Sequence, residues 1–402
     1  MTTTASSPAA ELTRARFTAI EESGWGRSFT FYQPRNLAFW VYLLLTASGA
    51  MLFATRIQST YPAYGRAILV TAVVFAVYGA IFWWFTQHID RYARQPMKLL
   101  VAAFCWGGFA ATWSMAAYAN DALISIYGKL FGHAWAQDWG AGLAAPFTEE
   151  TAKGFGLLLL IALAPRLVRT AFDGFILGAF LGLGFEIIED IAYGMNAGAS
   201  QFGADQVEAS LSTVFLRVAT GATGHILYTA LFCAGLVYLL GRPAEPRRIG
   251  RGLLLIMTAM VLHGLWDSMA NFASSEAAAL GLIAAVMVIA LLIVARVFAI
   301  TVPRERLFLA DILAPEVEAG FVTSAEADAA CGNAKARRIF RRSGDRAARR
   351  RNSYVLDAVF DLADALATDH CGETPRVEFA RAEVARLRDG RAPSQALLPV
   401  QL

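Results

Sequence analysis

The chain has 402 residues, 56% hydrophobic and 17% charged, with a mean hydropathy of +0.46. That is too apolar for a soluble globule and indicates an all-α, polytopic integral membrane protein. The net charge of +3 singles out no class of partner, and four scattered cysteines without a CxxC pair exclude a disulfide framework or a thiolate metal site. In chain order, residues 1–37 are a polar N-terminal segment lacking the short apolar core of a cleavable signal peptide, so the first span is expected to direct insertion. A membrane-crossing helix needs about 20 mainly apolar residues. Eight stretches qualify, at about 38–55, 67–87, 97–119, 143–164, 171–194, 211–240, 251–273 and 278–301, which makes 38–301 a transmembrane domain of about eight helices. Arginine and lysine gather in the N-terminal segment (Arg14, Arg16, Arg27, Arg35), the second loop (Arg91, Arg94, Lys98), the fourth (Arg166, Arg169) and the sixth (Arg242, Arg247, Arg248, Arg251). The positive-inside rule then puts both termini in the cytoplasm of a multi-pass protein of the inner (plasma) membrane. Residues 302–402 read as a small helical cytosolic tail. Its basic run, Lys335–Arg351, is either a solvated face or a contact for anionic lipid, and the following "SYVLDAVFDLADALA" has helical apolar spacing.

The fourth to seventh spans carry ionisable residues, each expensive in lipid at about 2.5–3.5 kcal/mol. They are Glu149, Glu150 and Lys153 in the fourth, Glu186, Glu189 and Asp190 in the fifth, His225 in the sixth, and His263 and Asp267 in the seventh. With alternating topology these groups fall in one layer in the outer half of the bilayer, so residues about 140–275 form the expected catalytic core. Asp173, Asp190 and Arg217, near helix ends, read as interfacial. Glu149 and Lys153, Phe185 and Glu189, and His263 and Asp267 are i,i+4 pairs, each on one stripe. Glycines 174, 178, 182 and 184 let the fifth span approach its neighbours closely.

Two histidines among several carboxylates can make a hydrolytic centre. In one version His225, His263 and Glu189 hold a divalent ion such as Zn²⁺ while another glutamate deprotonates water. In the other, no metal is used and a glutamate activates water directly. Glu150 is the expected general base with Glu149 supporting it, Asp267 orients His263 or contributes to oxyanion stabilisation, and Lys153, Phe185 and Glu186 support the site. Glu186 is alternatively a partner for Lys153. Two other functions use the same buried acids or chemistry: a proton-coupled transporter and a prenyl-protein processing endopeptidase.

The ordered set EExxK (Glu149, Glu150, Lys153), FxxxE (Phe185, Glu189), a mid-span histidine (His225) and HxxxD (His263, Asp267) resembles the PrsW family of intramembrane proteases, distant relatives of the CAAX prenyl endopeptidases and bacteriocin-processing enzymes. The resemblance covers about residues 140–275. It implies cleavage of a peptide bond of a membrane-associated protein, such as an anti-sigma-factor-like substrate, with the lipid bilayer as environment and no nucleic acid. Glu186 and Asp267 depart from the family pattern, which more often has a small apolar residue and Asn there.

Overall fold

The computed structural model describes residues 7–200, 204–221 and 223–390; the extremities of the N-terminal segment and of the tail lie outside the described residues. These residues form helices and no strand. They divide into two units, residues 29–89 with 95–300, and residues 7–28, 90–94 and 301–390.

The larger unit begins with α2 (Leu37–Ile89). Next come α3 (Met97–Cys105), a π-helix (Trp106–Ala116), α4 (Ala117–Phe131) and α5 (His133–Leu163). Then follow α6 (Ala171–Ser200), α7 (Gln206–Gly221), α8 (His225–Leu240), α9 (Ile249–Asp267) and the start of α10 (Glu276–Glu318). Among the described residues, six helical stretches are long and apolar enough to cross a membrane, against the eight expected. Two causes account for the difference. Residues 37–89 are continuous enough to count once, and α5 carries Glu149, Glu150 and Lys153 within its apolar half and so falls outside the six.

Residues 37–89 do not form a straight rod. The backbone leaves helical geometry at Tyr64 (φ −126°, ψ 25°), just after Pro62, where a ring without an N–H breaks the ladder. Tyr42 donates its hydroxyl to the Ala102 carbonyl (2.8 Å), and Trp83 packs edge-on against Phe104 (5.6 Å). In a straight helix Tyr42 and Trp83 would be about 60 Å apart. Both halves instead reach the same turn of α3, so the segment doubles back at Pro62–Tyr64. The expected long loop between the third and fourth spans is also absent, because α4 and α5 run on until only Gly132 (φ +95°) separates them.

α6 is the central element, with its apolar window wholly buried, whereas that of α10 is only 6% buried. Its glycines explain how. A Cβ on Gly178 would lie 2.5 Å from the Thr229 carbonyl oxygen, and one on Gly182 would lie 2.3 Å from that of His225. The α6 and α8 backbones therefore meet directly. On another face, a Cβ on Gly107 of the π-helix would come within 1.9 Å of the Leu181 oxygen.

The smaller unit contains α1 (Pro8–Ser23), the end of α10, α11 (Ser324–Cys331), α12 (Ala334–Arg342), α13 (Arg346–Thr368) and α14 (Pro375–Asp389). The apolar spacing noted in the tail becomes α13, which buries Val355, Leu356, Val359, Leu362 and Leu366. Glu316 fastens the unit by accepting from Arg16 (2.8 Å) and Arg381 (2.7 Å).

Candidate active site

Four helices, α5, α6, α8 and α9, deliver the polar layer. On α5, Glu149, Glu150 and Lys153 share a buried face. Lys153 Nζ is 2.7 Å from Glu150 Oε1, 3.8 Å from Glu149 Oε2 and 3.0 Å from His225 Nδ1. Phe185 of α6 closes over this ammonium, its ring centroid 4.1 Å from Nζ and 4.8 Å from the His225 ring. The FxxxE spacing is thereby explained, since one turn later Glu189 Oε2 lies 2.9 Å from His225 Nε2.

His225 owes its position to a break. α7 ends at Gly221, residues 223 and 224 are not helical, and His225 is the first residue of α8. The amides of a first turn have no intrahelical acceptor, and Ile226 N–H is taken by Glu186 Oε2 (3.4 Å) while Tyr78 donates to Glu186 Oε1 (2.7 Å). Glu186 is therefore engaged with Tyr78 and the start of α8 and makes no pair with Lys153, which lies against Glu149 and Glu150.

On α9, His263 Nδ1 lies 3.1 Å from Glu150 Oε1, and Nε2 lies 3.4 Å from Asp267 Oδ2 and 3.6 Å from Glu149 Oε2. Close approach of α5 and α9 at Gly142 and Gly264 brings the two helices together here.

The network assigns protons. Lys153 can only donate, so His225 Nδ1 accepts and Nε2–H points to Glu189. His263 Nδ1 faces the Glu150 carboxylate and carries a proton, leaving Nε2 toward Glu149. Glu149 Oε2 is buried, receives no hydrogen bond, and stands 3.7 Å from His225 Nδ1. Atoms of Glu149, His225 and His263 thus lie within 4.8 Å of one another. An orphaned carboxylate oxygen facing two imidazole nitrogens is a donor set that fits a divalent cation. Lys153 is the competing cation for His225 Nδ1. The trio contains Glu149 where the sequence suggested Glu189, which is occupied by His225 and Arg217 (3.0 Å). A cavity of about 300 Å³ opens against Glu149, Glu189 and Phe185, walled by Asn120, Trp113 and Tyr193.

Several partners were not singled out from sequence. Asn120 of α4 donates to Glu149 Oε1 (3.0 Å) and is itself bonded by Thr148. Thr229 donates to Glu150 Oε2 (3.0 Å). Tyr228 stacks on His263 with ring centroids 5.3 Å apart. Arg217 and Asp190 form an ion pair, with Asp190 buried. Asp173 is also buried, accepting the Arg169 and Thr170 amides at the start of α6. Asp173 and Asp190 are buried within the protein, which their nearness to a helix end did not suggest.

The model of the PrsW family intramembrane metalloproteases matches residues 95–295, which contain every residue of this layer. The chain belongs to that family. It is thus a peptide hydrolase and an integral membrane protein. A search of curated proteins returned no match, and a search of solved structures returned none either. The family match begins at Gln95 and ends in α10, so α2 and the whole of the smaller unit of this PrsW-family chain fall outside it.

Proposed function

We propose that the chain cleaves a peptide bond of a membrane-anchored protein, of the anti-sigma-factor kind, in the outer half of the bilayer. The observation that carries this reading is the unpartnered Glu149 Oε2 facing both histidines beside the cavity. Glu149 takes the proton of the attacking water at Oε2 while Asn120 holds Oε1. Glu150 was the base expected from sequence, but its oxygens are engaged by Lys153, His263 and Thr229, which suits it to orienting those groups. Lys153 supplies positive charge where the carbonyl oxygen becomes an oxyanion. Glu189 keeps His225 in the tautomer whose Nδ1 faces Glu149. Asp267 restrains His263 from the other side, and Glu149 returns its proton to the leaving amine. In the alternative with a divalent ion, Glu149, His225 and His263 would hold it, Glu149 would serve as a ligand rather than as the base, and the ion would polarise the carbonyl and acidify water.

The same reading takes the chain across the inner membrane eight times with both termini cytoplasmic. Its support is the doubling back of residues 37–89, the eight helical passes that result when α5 is counted and α7 and α8 are taken as one descent, and the arginine-rich alternate loops. The outer depth is supported by His263 and Asp267 in the last turn of α9 and by Glu189 about three turns before the end of α6.

The experiment is substrate trapping with wild type and Glu149→Gln in membranes, followed by cleavage assays of the trapped proteins with and without chelator. Wild type is expected to cut a trapped membrane protein and Glu149→Gln to leave it intact. Equal cleavage by the two would overturn the assignment of Glu149, and proteoliposome flux without any cleavage would favour a transporter.

A further inference from the structure

The smaller unit carries a surface that peptide hydrolysis does not use. α12 is held by one buried arginine and one partly exposed arginine. Arg337 is buried and donates to the Tyr92 hydroxyl (3.0 Å) and the Gly332 carbonyl (2.6 Å), while Arg341 reaches Asp357 (3.3 Å). That anchoring turns Lys335, Arg338 and Arg342 outward on one stripe at i, i+3 and i+7, all exposed. Ile339, at the edge of the same stripe, is 62% exposed. The first turns of α13 continue the charge with exposed Arg346, Arg349, Arg350 and Arg351, and Arg350 lies 5.9 Å from the ring of the half-exposed Tyr354.

The only carboxylate between residues 333 and 351 is Asp345, which is committed to capping the Ala348 amide (2.7 Å). Like charges three and four residues apart oppose the helices that carry them. A plane of anions would relieve that repulsion.

We propose that this face of α12 and the start of α13 docks on the anionic headgroups of the adjacent membrane leaflet. Three observations select lipid. The unit is covalently continuous with α10, whose apolar window has the highest mean hydropathy in the chain, 3.0, so a lipid surface is always at high effective concentration. The charges form an extended face, which suits a charged plane. Ile339 and Tyr354 flank them as apolar and aromatic side chains suited to the headgroup boundary, where a nucleic-acid phosphate backbone would leave Ile339 without a partner.

The test uses the full chain in nanodiscs of phosphatidylcholine alone or with about a third phosphatidylglycerol, reading amide hydrogen exchange of residues 334–351. With phosphatidylglycerol, exchange there is expected to slow about fivefold, with α14 unchanged. The effect should vanish at about 1 M salt, where the screening length is ~3 Å. It should also vanish in Lys335→Glu/Arg338→Glu/Arg342→Glu. The milder Lys335→Gln/Arg338→Gln/Arg342→Gln should reduce it while leaving α14 exchange as in wild type, which separates lost docking from lost folding. Equal exchange in the two nanodiscs would overturn the proposal, as would protection by a nucleic-acid duplex in phosphatidylcholine discs without any response to phosphatidylglycerol.

Discussion

Glu149 and Glu150 are sequence neighbours with opposite surroundings. Glu150 is held by an ammonium, an imidazole and a hydroxyl, while Glu149 keeps one oxygen without a donor. Their amides should therefore separate two effects. Glu149→Gln is expected to lower the cleavage rate by about 10³-fold, within the range for loss of a positioned acid–base group, with little change in thermal unfolding. Glu150→Gln strips Lys153 of its closest counter-charge and should cost about 3–5 kcal/mol of stability, visible as a lower Tm in detergent. Asn120→Ala should slow cleavage about tenfold, equivalent to ~1.4 kcal/mol, because Glu149 loses its orienting amide. The acids and histidines of this site were legible in the sequence because charge inside an apolar run is conspicuous. Asn120 was not, since a neutral amide near the edge of an apolar stretch carries no such cost. The partners of Arg217 were not legible either, because hydropathy reports a charge along its own helix and not the carboxylates on the next one.

At the scale of elements, the direct contact of α6 with α8 sets where His225 stands. Gly182→Ala would drive a methyl group into the His225 carbonyl. It is expected to cost about 1–3 kcal/mol through overpacking and to reduce cleavage more than Tm alone would suggest. Gly281→Ala in α10, where nothing lies within 4 Å, is the control and should be neutral or slightly stabilising. Thermal unfolding and a cleavage assay on both variants check the pair. The close-packing role of these glycines was readable from their spacing. The π-helix at Trp106–Ala116 was not, because its apolar composition matches an ordinary span; its wider turn shows only in three dimensions, where Trp106 donates to the Ala152 carbonyl (2.9 Å) and braces α5. The break before His225 escaped notice for a related reason, as residues 211–240 read as one continuous apolar run.

For the molecule as a whole, two measurements address the units separately. If the trio in the larger unit holds an ion, protein purified without chelator should carry about one divalent metal per chain. His263→Ala should lose it, with elemental analysis as the readout. In the smaller unit, burial disfavours a charged Glu326. Bonds from Arg388 and from the Thr323 amide outweigh it and hold its pKa below the ordinary 4.5. A depressed folded-state pKa contributes stability that is present above the unfolded value and is lost as pH falls through the folded one. Acid should therefore loosen this unit below about pH 4.5, and Glu326→Gln should flatten that dependence. Hydrogen exchange of α11 and α14 against pH is the check.

The passage from α7 to α8 also bears on biogenesis. Arg217 of α7 finds its counter-charges, Glu189 and Asp190, on α6. Each partner of that ion pair is expensive in lipid without the other. We predict that α6, α7 and α8 partition into lipid together. Topology reporters fused after residue 200 and after residue 240 would test this; stable integration of residues 206–240 alone would refute it.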